Sequence, residues 1–161
     1  MKQSILILIA CVFIVAVTTL SYRELRSEWI SFRKGESLFA QERYLQAEQC
    51  YTDALAKGLS VPQLFYHLVE AQLAVGNDAG AIETERAFSA SSASTPDTEF
   101  MLSEIFVRFG RFEQAMQLLD RSVRQEPDNR RARFRLAQVL TWMGSFNIAV
   151  DHYNILLGDQ L

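Results

Sequence analysis

The chain has 161 residues, 49% hydrophobic and 22% charged, with a formal net charge of -3. That balance excludes a mostly disordered chain, and the slight acidity gives no electrostatic reason to bind nucleic acid. Two cysteines, Cys11 and Cys50, cannot by themselves build a disulfide framework or a zinc site.

In chain order, the first element is apolar. No charged residue stands between Gln3 and Tyr22, and such a length at helical rise spans about 30 Å, the thickness of a bilayer core. Residues 1–22 are therefore expected to form one transmembrane anchor, with 4–21 in the lipid bilayer and 23–27 a short linker. Two other readings stay open. A cleaved signal needs small residues at its cleavage site, and Val15-Ala16-Val17 offers a poor one. A lipoprotein signal would use Leu8-Ile9-Ala10-Cys11, although the apolar run continues well past Cys11. Flanking charges are close to balanced: Lys2 on one side, and Arg23, Arg26, Arg33 and Lys34 among Glu24, Glu28 and Glu36 on the other. The expectation is a single-pass protein of a bacterial inner (plasma) membrane with its domain in the periplasm. A cytosolic domain is the alternative.

The remainder repeats. Gly76, Gly110 and Gly144 are spaced by 34 residues, and the same step back reaches Glu42. Five residues after each stand Ala47, Ala81, Ala115 and Ala149. Two residues past the turn come Tyr44, Phe112 and Phe146; nine past it come Tyr51, Leu119 and Tyr153, with Glu85 departing. Within each period apolar residues recur at helical spacing on both sides of the turn, which predicts two antiparallel helices per unit. The small alanine lets them approach, and Pro62, Pro96 and Pro127 punctuate the junctions.

The segments Lys34-Gly35…Leu38…Tyr44…Ala47…Tyr51…Ala54-Leu55 and Leu102-Ser103…Phe106…Gly110…Phe112…Ala115…Leu119…Pro127 resemble tetratricopeptide repeats. The resemblance implies an all-α helix-turn-helix solenoid of about four repeats, with units at 28–61, 62–95, 96–129 and 130–161. Unit two departs at Val69, Gln72 and Glu85, and its second helix carries Gly80 and runs into the serine-rich stretch 89–94, so it is expected to be the least stable part. In place of the large aromatic usual near the start of each first helix stand Ser31, Phe65, Glu99 and Arg133.

Nothing in the pattern supports an enzyme, a metal site or a cofactor. His67 and His152 lack the spacing of a metal motif; there is no glycine-rich phosphate loop and no nucleophile elbow. Ten residues before each turn position stand Phe32, Tyr66, Phe100 and Phe134; six before it stand Glu36, Glu70, Glu104 and Gln138. Equivalent positions form stripes along a stacked array. The resemblance implies that these two stripes line a concave, partner-binding groove. In the family the chaperone-tail clamp uses lysine and asparagine there to grip a carboxylate, whereas this groove is aromatic and acidic. A partner segment with apolar and basic residues suits it better, although the aromatics could serve packing and the glutamates a solvated face.

The sequence thus reads as a membrane-anchored protein–protein interaction scaffold or assembly factor, whose partners are subunits of a membrane or envelope complex. A chaperone-like holdase for unassembled envelope or secreted subunits is the alternative. The last helix, with Ile155, Leu157 and Leu161 among its apolar residues, carries more than one packing face needs and ends without a polar cap. Its exposed side is expected to be a contact surface, for self-association or for a partner helix.

Overall fold

Each unit reverses direction at one residue held at positive φ: Glu42 (59°), Gly76 (77°), Gly110 (69°) and Gly144 (78°). After each of them the next amide donates to a carbonyl in the helix just ended, Arg43 to Leu38 (3.0 Å), Asn77 to Gln72 (2.8 Å), Arg111 to Phe106 (2.8 Å) and Ser145 to Leu140 (2.9 Å). This closure satisfies orphan carbonyls of the helix end and requires a left-handed residue, which glycine supplies without strain. Glu42 adopts the same conformation with a side chain.

A computed structural model describes residues 27–158. They form eight helices in four hairpins: α1 (Ser27–Phe39) with α2 (Tyr44–Ala56), α3 (Pro62–Ala74) with α4 (Asp78–Ser89), α5 (Pro96–Arg108) with α6 (Phe112–Gln125), and α7 (Arg130–Trp142) with α8 (Phe146–Gly158). Pro62 and Pro96 open α3 and α5, where the missing amide costs nothing and the fixed φ suits a helix. No helix among the described residues is long and apolar enough to cross a membrane. The expected anchor at 1–22, most of the linker at 23–27 and Leu161 lie outside the described residues.

Hairpins close over small residues. Ala47, Ala81, Ala115 and Ala149 are all buried, one per unit, where the second helix crosses the first. In unit one the crossing is tighter still, since a Cβ on Gly35 would stand 2.6 Å from the Tyr51 ring. Consecutive hairpins then share their cores. Leu64 and Leu68 of α3 join Ala47, Tyr51, Ala54 and Leu59 of unit one in one cluster, and a second cluster runs through units two to four. Leu55 packs against both.

The junction of units two and three is built differently. Phe88 fills the place held elsewhere by Ala54, Ser122 and Leu156, and its ring meets Phe65 edge-on at 5.4 Å. The serine-rich stretch leads into α5 through a capping box: the Thr98 amide donates to Thr95 and the Thr95 amide to Thr98. The departures at Glu85 and Glu99 also meet here. Both carboxylates, 6% and 1% exposed, take the Arg121 guanidinium, with Ser89 donating to Glu85 and Ser94 to Glu99. The second Glu99 oxygen is buried without a hydrogen-bond partner among the described residues.

The turn carries a direct test. Nothing lies within 4 Å of a Cβ placed on Gly110, so any penalty there is purely one of backbone conformation. Gly110→Ala should lower unfolding free energy by about 1–2 kcal/mol in chemical denaturation, whereas no loss would mean the left-handed turn is not required.

Candidate functional site: the inner face of the first helices

The first helices α1, α3, α5 and α7 lie side by side, and their carboxylate row is bridged from unit to unit. Glu36 Oε1 meets His67 Nδ1 at 2.5 Å and accepts the Tyr51 hydroxyl at 2.6 Å. Glu70 pairs with Arg108 at 3.1 Å. Glu104 takes Arg135 in a two-pronged contact, 2.6 Å from Nε and 2.8 Å from Nη2, and the same guanidinium donates to Gln138 at 3.1 Å. Each carboxylate thereby joins its own first helix to the first helix of the following unit. The glutamates are therefore not a free acidic stripe, because a histidine and two arginines already face them. Burial, reinforced by the hydrogen bond to Glu36, pushes the Tyr51 phenol far above its ordinary value.

The aromatic row is also divided in its duties. Phe32 is half-buried between the Trp29 and Tyr51 rings. Tyr66 donates to the Thr98 carbonyl at 3.2 Å, and burial pushes its hydroxyl up to about 12. Phe100 is covered by the Arg131 guanidinium, 4.2 Å from the ring centroid. Phe134 alone of the four is an exposed ring, resting edge-on against Tyr153 at 6.0 Å. The row is thus mainly packing in units one to three and an open aromatic surface in unit four.

Four residues on this face were not singled out from the sequence: Arg108, Arg131, Arg135 and Trp142. Trp142 is half-exposed and lies beneath Arg135, 5.2 Å from its ring centroid to the guanidinium. Exposed Met101 occupies the position equivalent to His67 and Arg135. The half of the face formed by α5 and α7 is therefore basic and apolar. The series Arg33, His67, Met101, Arg135 keeps the period without keeping one residue type, so no stripe announced it.

Two of the positions that depart from the usual aromatic, Ser31 and Arg133, find hydrogen-bond partners within or close to their own unit. The Ser31 hydroxyl donates to Asp53 and receives Lys57, and Arg133 donates to the Pro127 carbonyl at 2.6 Å. His152 is pushed below its ordinary value by burial and by Arg133. Cys50 is a free thiol. No group of three or more histidine, cysteine, aspartate or glutamate side chains among the described residues is placed to hold a metal ion. On α8, Ile155 and Leu157 are exposed together with Phe146, Ile148 and Val150, so five large apolar side chains are open.

Four stacked hairpins with a continuous inner face define a helical-repeat solenoid. Two family models described as tetratricopeptide repeat match residues 32–94 and 96–139, and the chain belongs to that family. A comparison with curated proteins gives no match. Among solved structures, a crystal structure of MamA superimposes with a TM-score of 0.61 at 13% identity, over 89% of this chain and 84% of that one. YrrB, described as "a TPR protein with an unusual peptide-binding site", gives 0.57 at 15% identity over 91% and 80%. The first TPR of Spaghetti (RPAP3), bound to an HSP90 peptide, gives 0.54 at 20% identity over 73% and 93%. At these identities the likeness is one of fold.

The ladder can be weighed directly. A double-mutant cycle on Glu104→Gln and Arg135→Met should return a coupling of about 0.5–1 kcal/mol, the range for a partly exposed pair. Strict additivity would mean the contact holds nothing.

Proposed function

We propose that the protein is a membrane-anchored interaction scaffold or assembly factor that docks a segment of a partner protein in its inner groove. The observation that carries this reading is the group of large apolar side chains left open beside Arg131 and Arg135 on the face of the first helices: Met101, Phe134 and Trp142. Large apolar side chains gathered on one surface mark binding sites more often than chance exposure does. Peptide binding by other proteins of the same fold supports it. Since the carboxylates are answered within the chain, the partner's apolar residues are expected to supply most of the binding and its charges to set orientation. The apolar stretch before Arg23 is the proposed tether, and holding the groove at the bilayer raises its effective concentration toward subunits of a membrane or envelope complex.

A photo-reactive phenylalanine analogue at Met101 of the full chain, irradiated in native membranes, should give one discrete protein adduct. The same probe at Glu83, on the outer face of α4, should give none. Equal adducts from both positions, or none from Met101, would reject the groove. In the same membranes the chain should stay in the pellet through carbonate washing, and its release would remove the tether from the reading.

A further inference from the structure

Unit two lacks the ring that stands just past the turn in the other units. Two residues after the turn come Tyr44, Phe112 and Phe146, and in unit two the same position is Asp78. At the first junction the Tyr44 ring meets Phe39 edge-on at 5.3 Å, and Asn77 of the next unit donates across to Glu48 at 2.6 Å. At the third junction Phe112 and Met116 pack on the core cluster, and the Phe112 ring lies 5.6 Å from Trp142. At the second junction the places of Phe112 and Met116 are held by Asp78 and Ile82. A cleft of about 230 Å³ opens there, lined by Leu73, Asp78, Ile82, Phe106, Arg111 and Gln114. None of these residues belongs to the proposed groove.

The lining states what the cleft can hold. Leu73 and Phe106 are buried and Ile82 is half-buried, so its surface is aliphatic and aromatic. A cavity of about 150 Å³ with such walls accommodates benzene, and sites for larger ligands run to about 300–1,000 Å³. The size therefore selects one ring with a small substituent. The charges at the rim are already answered. Arg111 grips Asp78 through Nε and Nη2, each at 2.8 Å, and gives Nη1 to the Phe109 carbonyl at 3.3 Å. The guanidinium holds the Asp78 carboxyl below its ordinary value, so the two charges cancel at neutral pH and a charged ligand finds no counter-charge. Of the polar lining side chains, half-buried Gln114 makes no hydrogen bond among the described residues, and its amide can both donate and accept.

We infer that this cleft between units two and three is a binding site for a small, uncharged, single-ring aromatic molecule of the phenol class. The ring takes the place that Tyr44 and Phe112 hold in units one and three, and its hydroxyl meets Gln114. The ligand is a free molecule rather than a side chain of a partner, because a cleft of this volume is filled by the ring and leaves no space for a main chain. The inference rests neither on the groove nor on the tether.

The test uses the full chain in lipid nanodiscs, with isotope-labelled isoleucine and leucine methyl groups followed by NMR during titration with 4-methylphenol. The Leu73 and Ile82 methyl signals should shift saturably, with half-saturation at about 1 mM or below, while those of Leu157, exposed on α8, should not follow. Benzoate, a ring with a charge, and N-acetyltyrosinamide, the same phenol on a piece of main chain, should each bind roughly tenfold or more weakly. Gln114→Ala should weaken 4-methylphenol binding by roughly three- to tenfold. Filling the cleft should abolish the Leu73 shift at unchanged helix content, either by Asp78→Phe or by Ile82→Trp, which keeps the Arg111 bridge. Absence of a saturable shift at Leu73 and Ile82, or undiminished binding by both filled variants, would overturn the inference. So would equal affinity for N-acetyltyrosinamide, because the ring would then come from a partner's side chain.

Discussion

The structure depends on one constraint: a single helical hairpin cannot cover its own apolar surface. Each unit has an inner crossing, sealed by an alanine and, in units one, three and four, by an aromatic or leucine, and an outer face that a neighbouring unit closes. The core is accordingly not central to one hairpin but lies between hairpins, where Leu64 and Leu68 of α3 complete the cluster begun in unit one. Stability in such an array is a sum of unit and junction contributions. It follows that the ends are chemically special and that any weak junction is a local matter. In the first described hairpin Ile30, Lys34 and Ser37 stand exposed at the junction positions, and in the last one Leu157 and Phe134 are exposed.

On the inner face the same stacking aligns charge. The row of Glu36, Glu70 and Glu104 meets His67, Arg108 and Arg135 across successive first helices. These contacts are partly exposed and individually modest. Each one links one first helix to the next across a unit junction. A groove lined by such helices is a held surface. Its open aromatic and basic residues gather toward α5 and α7, which gives the groove a direction.

Much of this was legible in the residues. The turn glycines, the alanine row and the junction prolines keep the 34-residue step, and the positive φ at Glu42 shows that the step holds where the glycine is absent. The departures were harder to read. Glu85 and Glu99 look like losses of core until Arg121, in a third helix, brings them together. Phe88 stands where the other units have alanine, serine or leucine, and its ring packs against Phe65 and Tyr66 of α3. The carboxylate stripe was visible as a period, but its partners were not, since Arg108 and Arg135 occupy different positions of the repeat. Phe134 is exposed and Phe100 buried because a further unit stacks on α5 and none of the described residues stacks on α7 in the same way. That difference is a property of the stack rather than of the local sequence.

The inner-face ladder is expected to hold the four units in one arrangement. The most direct measurement is the distance distribution between spin labels on the outer face, attached through Gln49→Cys in α2 and Asp151→Cys in α8, with Cys11 and Cys50 replaced by alanine. The full chain should give a single narrow distribution. Changing Glu36, Glu70 and Glu104 together to glutamine should give a clearly broader one, with helix content unchanged. A distribution that stays equally narrow without the three carboxylates would contradict it.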